Sequence, residues 1–221
     1  MAVRLVLLDV NETLSDMAPV WRAVEEVGGS FGLGRAWFAS VLRDGFALAV
    51  GGTSAPFADI ARDLLTAMLP GDGLDRPRDV AVAHVMETIK GLAPHRDVAP
   101  GVRALAGSGR TLATLSNGSA GIAEDLLAGA GLREMFAHVL SVDDAGVWKP
   151  ARAAYEHALD VCGVEGHEAV LVAVHPWDVD GASRAGLRTA WLNRDGASWP
   201  AHFRQPDHEV AELAELAGQL G

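Results

Sequence analysis

The chain has 221 residues, enough for one sizeable domain or for a core domain carrying an inserted unit. Hydrophobic residues make up 49% and charged residues 21%, ordinary values for a globular protein, and 18 basic against 29 acidic side chains leave a net charge of −11. That charge argues against non-specific binding to nucleic acid or to an anionic membrane, since both would be repelled, but a local basic pocket could still hold a small anion.

Cys162 is the only cysteine, so no intrachain disulfide can form, and a reducing cytoplasm is the expected setting. It lies in an apolar run, where a buried, inert thiol is expected. The first apolar run, 5–8, is too short for a signal peptide or a membrane span.

Residues 3–8 read as a strand buried on both faces, being short, continuous and branched. The run stops at Asp9. A carboxylate there costs burial energy unless something pairs with it, and open α/β sheets bind ligands at such strand ends. From about residue 17 to residue 90 no strand run appears. Gly and Pro punctuate four helical segments, 19–27, 35–50, 55–69 and 77–90. In the third, Phe57, Ile60, Leu64, Leu65 and Met68 recur at helical spacing.

After Pro94 the βα alternation resumes. It predicts a helix at 101–106, a strand at 110–115 and a helix at 119–130 with Ser119 as its N-cap. A strand at 138–142, a helix at 151–162 and a strand at 169–174 follow, then a short helix at 179–185 and a strand at 189–192. In the tail, 208–220, Val210, Leu213, Leu216 and Leu220 share one face and predict a helix. The fold class is therefore α/β: a doubly wound, Rossmann-like parallel sheet core formed by 1–15 and 95–221, with a helical cap, 16–94, inserted after the first strand. The ends of the insertion, near Ser15 and Pro94, must meet.

Polar residues lie just past four of the strands: Asp9, then Ser116 and Asn117, then Lys149, then His175 with Asp178. A parallel sheet gathers these ends on one edge. Asp9 is the candidate nucleophile, since a carboxylate can form an ester that water later hydrolyses. Lys149 is its candidate charge partner; a cation in contact lowers a carboxylate pKa by roughly 1–3 units and keeps it ionised. Thr13 can orient it. His175 reads either as a base for ester hydrolysis or as a hydrogen-bonded histidine preset by Pro176. The other histidines show no metal-type spacing. Of the tryptophans, Trp37 and Trp177 are site candidates.

Four stretches in order, Asp9-Val-Asn-Glu-Thr13-Leu14, Leu115-Ser-Asn-Gly-Ser119, Val147-Trp-Lys149-Pro150 and Trp177-Asp178-Val-Asp-Gly-Ala182, resemble the four motifs of the haloacid dehalogenase superfamily. Lys149, Pro150 and Tyr155, with Trp177, Asp178, Gly181 and Ala182, resemble the type II L-2-haloacid dehalogenases most. The resemblance implies a small carboxylate substrate, no metal, no organic cofactor, and a homodimer. It implies that Asp9 displaces halide from C2 and that water then cleaves the ester. Thr13 and Lys149 would orient Asp9, Ser116 would hold the substrate carboxylate and Asn117 the leaving halide. Tyr155 and Asp178 would support Lys149 and the water.

The chain also departs from that pattern. Asn11 stands where the family has an aromatic residue, and Ala173 and His175 stand where it has Ser and Asn. A cap arginine is expected after a tryptophan, but Phe38 follows Trp37; Arg35 and Arg43, on either side of that pair, are the expected substitutes. A wall of Trp37 and Phe38 points to a more apolar or aromatic substrate. A Mg²⁺-dependent phosphatase of the same fold is an alternative, although Asn11 and Val174 replace two acidic residues of that branch and leave Asp9, Asp178 and Asp180. A non-catalytic ligand-binding protein of this fold is another.

Overall fold

The structure, a computed structural model, describes residues 2–220. Six parallel strands form one sheet in the order β3-β2-β1-β4-β5-β6. They are β1 (Leu5–Leu8), β2 (Thr111–Ser116), β3 (His138–Ser141), β4 (Ala169–Ala173), β5 (Arg188–Leu192) and β6 (His208–Val210). β1 is central because its short aliphatic run can be buried on both faces. Leu8 is level with Thr114 on one side and Val172 on the other, so Asp9 emerges between the carboxyl ends of β2 and β4.

Alternation along the strands feeds two apolar layers. Leu5, Leu7, Ala113, Leu115 and Leu171 face one layer, and Val6, Leu8, Leu112, Val170 and Val172 the other. The second layer is completed by α5 (Val98–Gly107), α6 (Ala120–Gly129) and α10 (Leu213–Gln219). The first takes in α8 (Arg152–Cys162), α9 (Pro176–Ala185) and the helices between β1 and α5. Those are α1 (Ala18–Glu26), α2 (Leu33–Val50), α3 (Phe57–Met68) and α4 (Arg78–Lys90). A short α7 (Val142–Ala145) follows β3.

The four-helix unit leaves and rejoins the sheet at a single crossing. Ser15 and Pro94 form an antiparallel bridge. The N–H of Asp16 donates to Ala93 O at 2.9 Å, and that of His95 to Leu14 O at 2.9 Å. Farther out, Trp148 from the loop after α7 is fully buried against α2 and donates its Nε1–H to Ala55 O at 3.0 Å. Gly45 makes room for it, since a Cβ there would lie 2.2 Å from the Trp148 ring.

Several expectations change. The tail is not one helix: His208–Val210 pairs with β5, Val210 level with Leu192, before α10 begins at Leu213. The carboxylate of Asp207, which accepts hydrogen bonds from the backbone N–H and the hydroxyl of Thr189, draws it in. Helix α9 begins at Pro176, not at residue 179, because proline at the first helical position needs no hydrogen-bond partner. Trp177 and Asp178 therefore lie in its first turn. α5 begins earlier than expected, again with a proline in its first turns. Ser119 stands at the N-cap of α6, but its side chain makes no capping bond. Cys162 is half-buried rather than buried, and burial pushes its thiol up to about 11. No helix among the described residues is long and apolar enough to cross a membrane.

Candidate active site

The sheet edge brings together Asp9, Ser116, Asn117, Lys149, His175 and Asp178. Asp9 is 3% exposed and every contact on its carboxylate is a donor. Lys149 Nζ lies 2.9 Å from Oδ1, and the Thr13 hydroxyl donates to Oδ2 at 2.6 Å. His175 Nδ1 lies 3.2 Å from the same Oδ2. Burial alone would raise the Asp9 pKa, but the charge of Lys149 and the bonds from His175 and Thr13 outweigh it and hold the group far below the usual carboxylate range. A buried, ionised carboxylate at a sheet edge is suited to nucleophilic attack.

Lys149 is fully buried and also 2.6 Å from Asp178 Oδ2. Burial would lower its pKa, but the two carboxylates raise it, so it stays an ammonium. Tyr155 donates to Asp178 Oδ1 at 2.6 Å, which satisfies the second oxygen. Burial, with Asp9 close by, raises Asp178 in spite of Lys149. Gly181 allows this packing, since a Cβ there would lie 2.6 Å from the Tyr155 hydroxyl.

Asn117 is tied to the lysine loop. Its Oδ1 accepts the Lys149 backbone N–H at 2.9 Å and its Nδ2 donates to Lys149 O at 3.2 Å. These two bonds fix the lysine loop, and the amide keeps a second N–H beyond the one given to Lys149. Ser116 is buried and accepts Gly118 N–H at 2.9 Å, leaving its own hydroxyl proton to donate. Asn11 lies half-buried beside Gly118.

One residue that sequence reasoning passed over stands in this site. Glu12 Oε2 lies 2.9 Å from His175 Nε2. Glu12 has φ 60°, the only positive φ among the described non-glycine residues. Such a backbone costs about 1–2 kcal/mol and persists only where neighbours enforce it. His95 Nε2 lies 3.0 Å from Glu12 O, and Arg194 donates to Thr13 O at 2.9 Å while its Nε holds Asp97 at 2.9 Å. A glutamate inside a loop has no periodic signal, so only an acid three residues past the nucleophile could have drawn notice. Between Glu12 and Asp9, His175 is raised to about 9: burial would lower it, but the two carboxylates prevail.

A cavity of about 840 Å³ opens between α2 and this edge, with Glu12, His175 and Trp177 at its base and Phe38, Leu42 and Phe46 on the α2 side. Trp177 stacks on His175 at 5.2 Å and meets Phe46 edge-on at 4.9 Å. Trp37 does not line it; it is buried within the helical unit and donates to Ala61 O at 2.8 Å. Arg43 reaches the rim, but its guanidinium pairs with Asp44 at 2.8 Å. Arg35 lines the cavity with its guanidinium over the Trp21 ring, 5.9 Å from the centroid. It has no ion-pair partner among the described residues.

The donor set does not fit a divalent cation. Lys149 Nζ already bridges Asp9 and Asp178, Asn11 is a neutral amide, and Asp180 turns away to Arg184 at 2.6 Å. No cluster of three or more metal-ligating side chains occurs among the described residues.

A buried Asp–Lys pair at the central strand, beneath inserted helices, defines a class of α/β hydrolases. A family model described as haloacid dehalogenase-like hydrolase matches residues 3–186, and the chain belongs to that family. (S)-2-haloacid dehalogenase 2 of Pseudomonas sp. (strain CBS-3) is 28% identical over 220 residues, covering 99% of this chain and 96% of that protein. The (S)-2-haloacid dehalogenase of Pseudomonas sp. (strain YL) is 38% identical over 122 residues, 55% of this chain and 53% of that protein. The L-2-haloacid dehalogenase of Xanthobacter autotrophicus, solved with chloropropionic acid covalently bound, matches with a TM-score of 0.87 at 26% identity, covering 99% of this chain and 98% of that one.

Proposed function

We propose that the protein hydrolyses the carbon–halide bond of 2-haloacids through an ester on Asp9. The observation that carries this reading is the Asp9 carboxylate itself, buried yet ionised under Thr13 and Lys149 and in contact with His175, which lines an apolar cavity. An Asp9 oxygen attacks C2, the carbon–halide bond breaks, and halide leaves with the electron pair. Water then attacks Asp9 Cγ, the bond from Cγ to the substrate oxygen breaks, and a 2-hydroxy acid departs as the carboxylate is restored. Lys149 holds the nucleophile in place, and Asp178 and Tyr155 hold Lys149. Ser116 has a hydroxyl proton for the substrate carboxylate, and Arg35 supplies an unpaired positive charge. His175 is the group nearest to the ester that can take a proton from water. The family resemblance implies no cofactor, and the relatives' names support the same chemistry.

The helices α1–α4 serve as a cap, and the cavity sets the substrate class. Its volume of about 840 Å³ and its lining of Phe38, Leu42, Phe46 and Trp177 suit a 2-haloacid with an aryl or long alkyl substituent. The test is halide release from a panel of short and aryl-substituted 2-haloacids, in the presence of EDTA. Wild type is expected to release halide, fastest from the bulkier acids, and Asp9→Asn to lose roughly 10⁴-fold or more. No release by wild type, or unchanged release by Asp9→Asn, refutes the reading. A short acid turning over fastest refutes the substrate class alone.

A further inference from the structure

His175 presents both ring nitrogens to carboxylates, Nδ1 to Asp9 at 3.2 Å and Nε2 to Glu12 at 2.9 Å. An ionised carboxylate only accepts hydrogen bonds, and a neutral imidazole has a single N–H to give. Both contacts are satisfied together only by the imidazolium. That form has no lone pair with which to activate water, so the resting site holds its base in the wrong protonation state. The first chemical step removes one of the two acceptors' charges.

We propose that esterification of Asp9 switches His175 from an imidazolium to a neutral base, and that Glu12 is the positioning residue that keeps this base aimed at the ester. The inference rests on the reading of Asp9 as nucleophile. Once Asp9 carries the substrate, its charge has passed to the departing halide. His175 then sheds its Nδ1 proton to solvent through the cavity, and that proton is the one that accompanies the halide. Nε2–H stays on Glu12, which fixes the tautomer and leaves the Nδ1 lone pair facing the ester. A water lying beside them, within reach of both Nδ1 and Cγ, gives its proton to Nδ1 as its oxygen bonds to Cγ. The tetrahedral intermediate expels the alkoxide, which takes the remaining proton of the attacking water. Asp9 is again a carboxylate beside an imidazolium, and the cycle closes with one halide, one proton and one hydroxy acid released.

The other charges around His175 support the assignment. Lys149 and Asp178 neutralise each other at 2.6 Å, Arg194 is occupied by Asp97, and Arg35 makes no hydrogen bond or ion pair with the ring among the described residues. Asp9 and Glu12 are left as the groups that decide the charge of the imidazole, in agreement with its rise to about 9. The positive φ of Glu12, clamped through His95 and Arg194, is the backbone cost of that aim.

Two measurements test the switch. In the free protein, the His175 ring is titrated by NMR in wild type and in Asp9→Asn, whose neutral amide mimics the ester. The His175 pKa is expected to fall by at least about one unit; an unchanged pKa overturns the switch. In single turnover with a 2-haloacid, Glu12→Gln and Glu12→Gly are compared by mass spectrometry of the Asp9 adduct. Glycine fits the positive φ without strain, so it separates the carboxylate from the backbone. Both variants are expected to form the ester at nearly the wild-type rate and to break it down at least tenfold more slowly, so that the adduct accumulates. Breakdown at the wild-type rate in either variant overturns the role of Glu12. A wild type that turns over no haloacid refutes the proposed function, and the titration still answers for the switch.

Discussion

Each side chain of the site answers for the charge state of another. Lys149 is the clearest case, being the one cation among the described residues that touches both Asp9 and Asp178. Replacing it by methionine leaves Asp178 buried with its charge uncompensated and Asp9 with His175 as its remaining cation, at a cost of about 3–5 kcal/mol. Carboxylates in that state have raised pKa values in the fold, so the variant is expected to be more stable near pH 4 than near pH 7. Urea unfolding at the two pH values measures this. His175 contributes stability in the wild type. Its folded pKa stands near 9, above the ordinary 6.5. The stability it contributes is fully present below pH 6.5 and is lost as pH rises through 9, on the order of 3 kcal/mol in all. Unfolding curves recorded across that window are expected to flatten in His175→Asn.

At the level of elements, Gly45 shows how tightly the pieces meet. Gly45→Ala would drive a methyl group into the Trp148 ring, and the helix or the loop must yield. Overpacking of this kind costs typically 1–3 kcal/mol. The expected result is a lower urea midpoint with an unchanged slope, together with weaker substrate binding, because α2 carries one wall of the cavity. Much of this was legible beforehand. Five strands, the helical insertion and the meeting of Ser15 with Pro94 follow from hydrophobic period and from Gly and Pro punctuation. The sixth strand did not, since its three residues share the apolar spacing of the helix after it and are fixed by the distant pairing of Asp207 with Thr189. In the site, Asp9, Thr13, Lys149 and Asp178 announce themselves by following strands or by their motif spacing. Glu12 and Arg194 do not, because their importance lies in a backbone torsion and in contacts across more than 180 positions. Asn117 was visible as a residue, but its amide could be seen to turn toward Lys149 only in three dimensions.

The molecule as a whole carries a net charge of −11, and its proposed substrate is an anion. Long-range repulsion slows their encounter, and salt screens it over a Debye length of about 10 Å at 0.1 M. kcat/KM for a haloacid is therefore expected to rise with ionic strength between about 10 and 100 mM, while kcat stays nearly constant. Steady-state kinetics in a non-halide salt give the answer, since added halide would also act as product.

The wall of the cavity contributed by α2 is a single continuous helix. Arg35, Phe38, Ala39, Leu42, Arg43, Phe46, Ala47 and Val50 line it at intervals of three or four residues, while the groups assigned to bond-making stand on the sheet edge opposite. Substrate choice and reaction chemistry are thus encoded in separate stretches of the gene. A short oligonucleotide cassette spanning sixteen codons, 35–50, can diversify almost every recognition position without touching one catalytic codon. Selection in nature has had the same opportunity, and the arrangement makes new specificities reachable in few mutational steps.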